Sequence, residues 1–268
     1  MRKTPSRVVL FWFRRDLRLA DNHGLFQALQ TGFPVVPMFI FDRDILDLLL
    51  DAADPRVTFI HDTLSALNQQ LLDMGSSLLV RHGKPAEVWH ELIDEFEIEA
   101  VFANRDYEPA AVRRDEAVKQ ILGNRGIAFH TYKDHVVFAG SEVVKDDGKP
   151  YTVFTPYSRK WLARLGAGNP LAAFPSESLL DQLHRGIPFG LPSLEDLGFT
   201  RSSIALPSRD VDSELIQHYD QTRDFPGIRG TSRLGIHLRF GTVSIRETAR
   251  RASALNATFL NELIWRDF

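Results

Sequence analysis

The 268-residue chain contains no cysteine, which excludes disulfides, thiolate zinc sites and thiol catalysis. Long apolar runs are also missing. The longest, Val8 to Phe13 and Val35 to Phe41, fall far short of the roughly 18 residues that a membrane helix needs. The first residues, MRKTPSR, carry no apolar signal core and no small-residue cleavage site, so a cytoplasmic protein without a membrane partner is expected. Neither sign of charge predominates: 32 Lys and Arg stand against 35 Asp and Glu, for a net charge of -3, which gives no global sign of nucleic-acid binding. Several chemistries lack their motif. No loop ends in Gly-Lys-Ser/Thr, and Arg14-Arg15-Asp16 stand where a dinucleotide glycine fingerprint would follow the first apolar run. No two histidines flank a Glu at i, i+4, so no metal is expected, and no Gly-x-Ser-x-Gly elbow is present.

What is present begins with VVLFWF at residues 8–13, an apolar run of β-branched and aromatic residues that predicts a strand buried on both faces. A helix follows, capped by Asp21 or Asn22, with Leu25, Phe26 and Leu29 on one face and Gly32 at its end. The alternation repeats through strands at 35–41, 77–81, 100–103 and 127–131. The intervening helices run from Pro55 to about Met74, from Pro85, and from Glu108-Pro109 to Gly123. This pattern predicts a doubly wound, parallel-sheet, Rossmann-like α/β domain over residues 1–131, with ligands at the carboxyl ends of its strands. No internal repeat is seen.

Residues 132–207 lose periodicity and are read as a long connector in which only Thr155 to Leu165 forms a clear helix. Helical period returns over 208–268, in Leu215, Ile216 and Tyr219, then Leu234 and Leu238, then Leu255, Phe259, Leu260 and Leu263. The pattern reaches Phe268 without a capping glycine or polar tail, so a longer protein with an incomplete helical domain is expected. From Phe199 to Phe268 the basic charge is ten Arg and no Lys, against eight acids. Arginine suits bidentate phosphate contacts, although a salt-bridged surface has the same composition.

Within this part, Gly230-Thr231-Ser232-Arg233-Leu234-Gly235 places two hydroxyls between glycines directly before an apolar helical pattern. Backbone N–H groups and hydroxyls at such a helix start can converge on an anion. For these residues alone, a simple N-cap is the commoner explanation. Asn104-Arg105-Asp106-Tyr107-Glu108-Pro109 follows the fourth strand, where Asp106 and Glu108 are acceptors for a heterocycle or merely an acidic helix start. Glu262 and Trp265, three apart on a helix, lie on one side and offer a polar edge beside an aromatic face; a core Trp with a surface Glu would look the same.

The run Trp12-Phe13-Arg14-Arg15-Asp16-Leu17-Arg18-Leu19-Ala20-Asp21-Asn22, the middle motif Tyr151-Thr152-Val153-Phe154-Thr155-Pro156-Tyr157, and the stretches Tyr219 to Gly241 and Glu262 to Phe268 together resemble the DNA photolyase and cryptochrome family. They are most similar to the amino-terminal part of a class I cyclobutane pyrimidine dimer photolyase. The resemblance implies an FAD cofactor, active when fully reduced, that donates an electron on excitation, splits the cyclobutane ring and recovers the electron. It also implies that residues 208–268 begin an all-α FAD-binding domain. Tyr219 then matches an aromatic FAD contact, and Thr231, Ser232, Arg233, Leu234 and Gly235 match the flavin-phosphate loop, with Gly235 replacing the usual Ser. Phe259 stands where many members place a Trp against the flavin. Arg223 matches a contact to DNA phosphate, and Glu262, Trp265 and Arg266 match the pocket for the damaged pyrimidine pair, with Glu262 and Trp265 as its catalytic residues. Asp106 and Glu108 match an antenna loop more similar to members using a deazaflavin or flavin; Ala110-Ala111 stand where folate-using members carry Asn-Glu.

UV-damaged DNA is the implied partner and a monomer the expected state. The resemblance places most of the flavin pocket and its tryptophan relay beyond Phe268, so the chain alone is expected to bind FAD poorly and not to repair DNA. Two other readings stand beside repair: a cryptochrome-type blue-light receptor sharing the same pocket, and a standalone antenna or nucleotide-binding module without catalysis.

Overall fold

A computed structural model describes residues 7–268. Five parallel strands, β1 (Val8–Phe13), β2 (Val35–Asp42), β3 (Leu79–Gly83), β4 (Ile98–Asn104) and β5 (Ala128–Tyr132), pair in the order β3-β2-β1-β4-β5. All six residues of β1 are buried, as its uninterrupted apolar run requires for a central strand covered on both faces. Its Val8, Leu10 and Trp12 pack with Trp89 and Leu92 of α4 (Pro85–Glu95) and with Val118 and Leu122 of α5 (Pro109–Gly123).

The helix starts follow their local chemistry. Asn22 caps α1 (His23–Leu29) by accepting the Leu25 N–H at 3.1 Å, and Asp54 caps α3 (Pro55–Asp73) with proline at the first position. Gly24 allows α1 to lie close on the sheet: a Cβ there would stand 2.8 Å from the Asn104 side chain and 3.0 Å from the Phe11 ring. The third strand begins two residues later than the apolar pattern predicts, because the Asn68 side chain on α3 accepts the Leu78 N–H at 2.8 Å and holds that residue outside the ladder. A four-residue helix, α2 (Arg43–Leu46), follows β2 under an Asp42 cap and has no periodic signature.

The chain forms two compact units. The first comprises the sheet and its helices up to Tyr132 together with Phe174–Leu206; the second comprises Lys133–Ala173 and Pro207–Phe268. The aperiodic middle segment thus contributes to both. Its second half is tied into the first unit by single polar bonds. The Ser176 hydroxyl donates to the Leu19 carbonyl at 2.5 Å, Asp21 accepts the Phe174 N–H at 2.8 Å, and Arg201 makes a two-pronged pair with Asp62, both contacts at 2.8 Å.

In the second unit, α6 (Phe154–Gly166), α7 (Ser213–Gln217), α8 (Tyr219–Thr222), α9 (Gly235–Phe240), α10 (Ile245–Leu255) and α11 (Ala257–Asp267) surround a core that includes Trp161, Ile216, Leu260 and Ile264. Asn256 caps α11 by accepting the Thr258 and Phe259 N–H groups at 2.9 and 3.1 Å. Below α10, Arg246 donates to Asp134 at 2.8 Å with both side chains almost wholly buried.

Candidate functional site

The strand order reverses direction between β1 and β4, the place where a doubly wound sheet opens a crevice at its carboxyl edge. A polar network fills that edge. Asn104, the last residue of β4, donates to Asp16 at 2.6 Å and to Asn22 at 2.7 Å and accepts the Gly24 N–H at 2.8 Å. The Arg14 guanidinium donates to Asp115 and to the Asn104 carbonyl and lies 5.0 Å from the Trp12 ring centre, as does Arg114. Burial lowers the affinity of Arg114 for its proton, with the Arg14 charge acting in the same direction and Asp115 opposing it.

Asp106 and Glu108 meet here, but around an internal partner: Arg15 contacts Asp106 at 3.3 Å and Glu108 at 2.6 Å. The Asp106 side chain is nearly buried, and it also accepts the Glu108 N–H at 3.2 Å, while Glu108 keeps almost half its side-chain surface exposed.

The second unit gathers the other sequence-predicted residues into two aromatic groups and a loop. In the first group, the Tyr219 ring meets the Phe259 ring edge-on at 5.0 Å, and the Arg223 guanidinium lies 5.6 Å from the Tyr219 centre while pairing with Glu262. Burial raises the Tyr219 phenol, and the nearby Glu262 carboxylate adds to the effect; the bond to Glu262 raises Arg223. Phe259 is part of the core.

The second group centres on Trp265, which is 51% exposed and so is no core tryptophan. Its ring is stacked on Phe154 at 3.7 Å and 3°, with Phe268 edge-on at 5.7 Å. Arg266, its neighbour, is engaged inside the unit: it donates to the carbonyls of His135 and Leu238 at 2.6 and 3.0 Å and contacts the His135 ring at 2.9 Å. That geometry makes Arg266 a clamp between segments.

Thr231 to Leu234 form the loop before α9, whose first residue is Gly235. Gly230 supports it, since a Cβ there would overlap the Thr222 carbonyl oxygen and stand 2.9 Å from the Thr222 Cβ. The Thr222 hydroxyl also donates to the Gly230 carbonyl at 3.2 Å. Arg233 takes a left-handed backbone, with φ of 53°, and Leu234 turns its side chain into the core. Thr231 is exposed, with no hydrogen-bond partner among the described residues. The Ser232 hydroxyl accepts the Leu234 N–H at 3.4 Å, and a side chain at Gly235 would meet open space. A loop with a free hydroxyl, an open approach at Gly235 and an adjacent guanidinium fits a phosphate in donor chemistry, so the residues present are compatible with the expected flavin-phosphate contact.

Two contributors escape a reading of residue types. Phe154 belongs to the quoted middle motif but shows no chemistry in sequence. Asp267 takes three N–H donors on one oxygen, from Val137 at 3.1 Å, Phe138 at 3.2 Å and the Trp161 indole at 3.1 Å, while its other oxygen is buried without a partner. Burial pushes its carboxyl up to about 6 against the pull of those donors. Among the described residues, no group of three or more His, Asp or Glu side chains is placed to hold a metal, and no helix is long and apolar enough to cross a membrane.

Comparison with known proteins agrees with this architecture. The chain is 35% identical to a deoxyribodipyrimidine photo-lyase of Halobacterium salinarum over 97% of its own length and 60% of the relative's. It is 36% identical to an uncharacterized 31.6 kDa protein of Synechococcus sp., covering 97% of itself and 98% of that protein. An archaeal photolyase structure from Sulfolobus tokodaii, described with two FAD molecules, superimposes with a TM-score of 0.72 at 27% identity, over 97% of this chain and 58% of that one. A class III photolyase from Agrobacterium tumefaciens shares the fold with a TM-score of 0.79 at 24% identity, over 99% and 58%. The chain spans about three fifths of the length of the photolyases it matches. With the DNA photolyase family model matching residues 9–176, the carboxyl-edge network and the helical unit are those of a chain that belongs to the DNA photolyase family.

Proposed function

We propose that this chain serves light-dependent repair of cyclobutane pyrimidine dimers in UV-damaged DNA, as a deoxyribodipyrimidine photo-lyase. The observation that carries this reading is the half-exposed Trp265, which shares one side of α11 with Glu262, itself paired to Arg223. A flipped-out pyrimidine pair needs an aromatic face and a polar edge, and Trp265 and Glu262 offer both. Arg223 would turn from Glu262 to a DNA phosphate. FAD, in its reduced form, would supply the electron that opens the cyclobutane ring. Thr231, Ser232, Arg233, Leu234 and Gly235 would hold its phosphates, with Tyr219 and Phe259 on its aromatic side. Near the β1 and β4 edge, Glu108, with Asp106 behind it, would meet an antenna pigment, for which a deazaflavin or flavin suits these acceptors better than a folate.

By itself the chain, matching three fifths of its photolyase relatives, would retain FAD weakly and leave dimers unrepaired. An absorption spectrum of the purified chain, with identification of any pigment released on denaturation, tests this: visible flavin bands would contradict weak retention. Illuminated repair of a thymine-dimer oligonucleotide by the chain alone would contradict its inactivity.

A second reading, a standalone antenna or nucleotide-binding module, is favoured by one observation: the Synechococcus protein has nearly the same extent as this chain. A bound pigment together with no affinity for damaged DNA would select it.

A further inference from the structure

Within the motif Tyr151 to Tyr157, Phe154 lies parallel to Trp265 at 3.7 Å. We infer that Phe154 is a positioning residue: it backs one face of the Trp265 indole and thereby presents the opposite face as a stacking site for a planar nucleobase. This inference rests on the repair reading and assigns a new component to its pocket.

Three observations carry it. First, an indole stacked on one ring and edged by another, Phe268 at 5.7 Å, but still 51% exposed, has its second face open. Second, the wall is built on rigid elements. Phe154, Tyr157 and Trp161 follow one face of α6 at helical spacing, Tyr157 and Trp161 are buried, and the Trp161 indole donates to Asp267 of α11 at 3.1 Å. That bond fixes the register of α6 against α11, and with it the height of Phe154 over Trp265. Third, Phe268 closes one edge of the site: it lies edge-on to Phe154 at 5.9 Å and to Trp265, and is itself braced by Tyr157 at 5.0 Å. Every base has a π face and stacks on such a platform without sequence preference. A ring locked by neighbours loses less freedom when a base arrives than a free one.

The arrangement makes the test unusually selective. The other three tryptophans, Trp12, Trp89 and Trp161, are at most 2% exposed, so collisional quenching of indole fluorescence by iodide reports Trp265. The full chain is compared with its Phe154→Leu, Phe154→Tyr and Trp265→Ala variants, by iodide quenching and by titration with a thymine-dimer oligonucleotide. Phe154→Leu keeps an apolar side chain without the ring. It is expected to raise the quenching constant and weaken the oligonucleotide about 3- to 10-fold, the scale of one aromatic pair, with a modestly lower melting temperature and an unchanged helical circular-dichroism spectrum. Phe154→Tyr should restore both readouts. If Phe154→Leu quenches and binds like the parent, or Phe154→Tyr fails to rescue, the inference falls while the repair reading stands. If the parent binds the oligonucleotide no better than Trp265→Ala does, the inference and the repair reading fall together.

Discussion

The Arg223 guanidinium is bonded to the Glu262 carboxylate and lies over the Tyr219 ring, so the two charged groups proposed to meet a phosphate and a base edge are each other's partner. Both are about one third exposed, and such pairs add little to folding. Glu262→Gln should therefore leave the melting temperature unchanged while freeing Arg223. Undamaged single strands would then bind more tightly and the preference for dimers would shrink. Arg223→Ala should lower the slope of log affinity against log salt by about one, the signature of one lost phosphate contact. Fluorescence anisotropy over a salt series measures both; equal slopes in the parent and Arg223→Ala would remove Arg223 from the DNA contact.

Asp267 makes the second unit sensitive to acid in a defined direction. Its carboxyl is raised by burial to about 6, so between about pH 4 and pH 6 the folded chain holds a proton that the unfolded chain has released. The corresponding stability is fully present below that window and declines as pH rises through it, by roughly 2–3 kcal/mol for a shift of this size. Denaturant titrations of the parent and of Asp267→Asn across pH 4 to 7 separate this group from the rest: the variant should lack this component of the slope. An identical slope would show that Asp267 does not titrate there.

Asp134 and Arg246 form a pair sealed from solvent. Removing one member takes its ionic partner from a buried charge, which typically costs about 3–5 kcal/mol. Asp134→Ala is expected to destabilise by that amount, and a double replacement by apolar residues of similar volume should recover most of it. Urea unfolding checks both; a cost below about 1 kcal/mol would mean that water reaches the guanidinium.

Gly230 sits where any side chain would run into the Thr222 carbonyl. Gly230→Ala should displace the 230–235 loop from α8, costing about 1–3 kcal/mol. It should also weaken flavin retention more than Thr231→Ala, which removes one exposed hydroxyl. Equal retention in Gly230→Ala and the parent would separate the loop from the flavin.

The parallel sheet was readable because its determinants are local and periodic: VVLFWF for a strand covered on both faces, Asn22 as a cap, and Pro55, Pro85 and Pro109 at helix starts. The division of residues 133–206 between two units was not, because bonds such as Ser176 to Leu19 and Arg201 to Asp62 join residues more than a hundred positions apart and leave no period. In the second unit, Tyr219, Arg223, Phe259, Glu262 and Trp265 were singled out by the family resemblance, and the first four lie together in one group. That Arg15 holds Asp106 and Glu108, that Arg266 is bound to backbone carbonyls, and that Phe154 lies on Trp265 are facts of packing. They depend on which side chains meet, which residue type alone does not encode.

The most direct test joins residues 1–268 to the part of the Halobacterium salinarum photolyase that this chain leaves unmatched, the match covering 60% of that protein. The measurement is conversion of a thymine-dimer oligonucleotide under blue light and in the dark. Repair is expected in light alone, strongly reduced by Trp265→Ala. A folded hybrid that retains FAD yet leaves the dimer intact in light would contradict it.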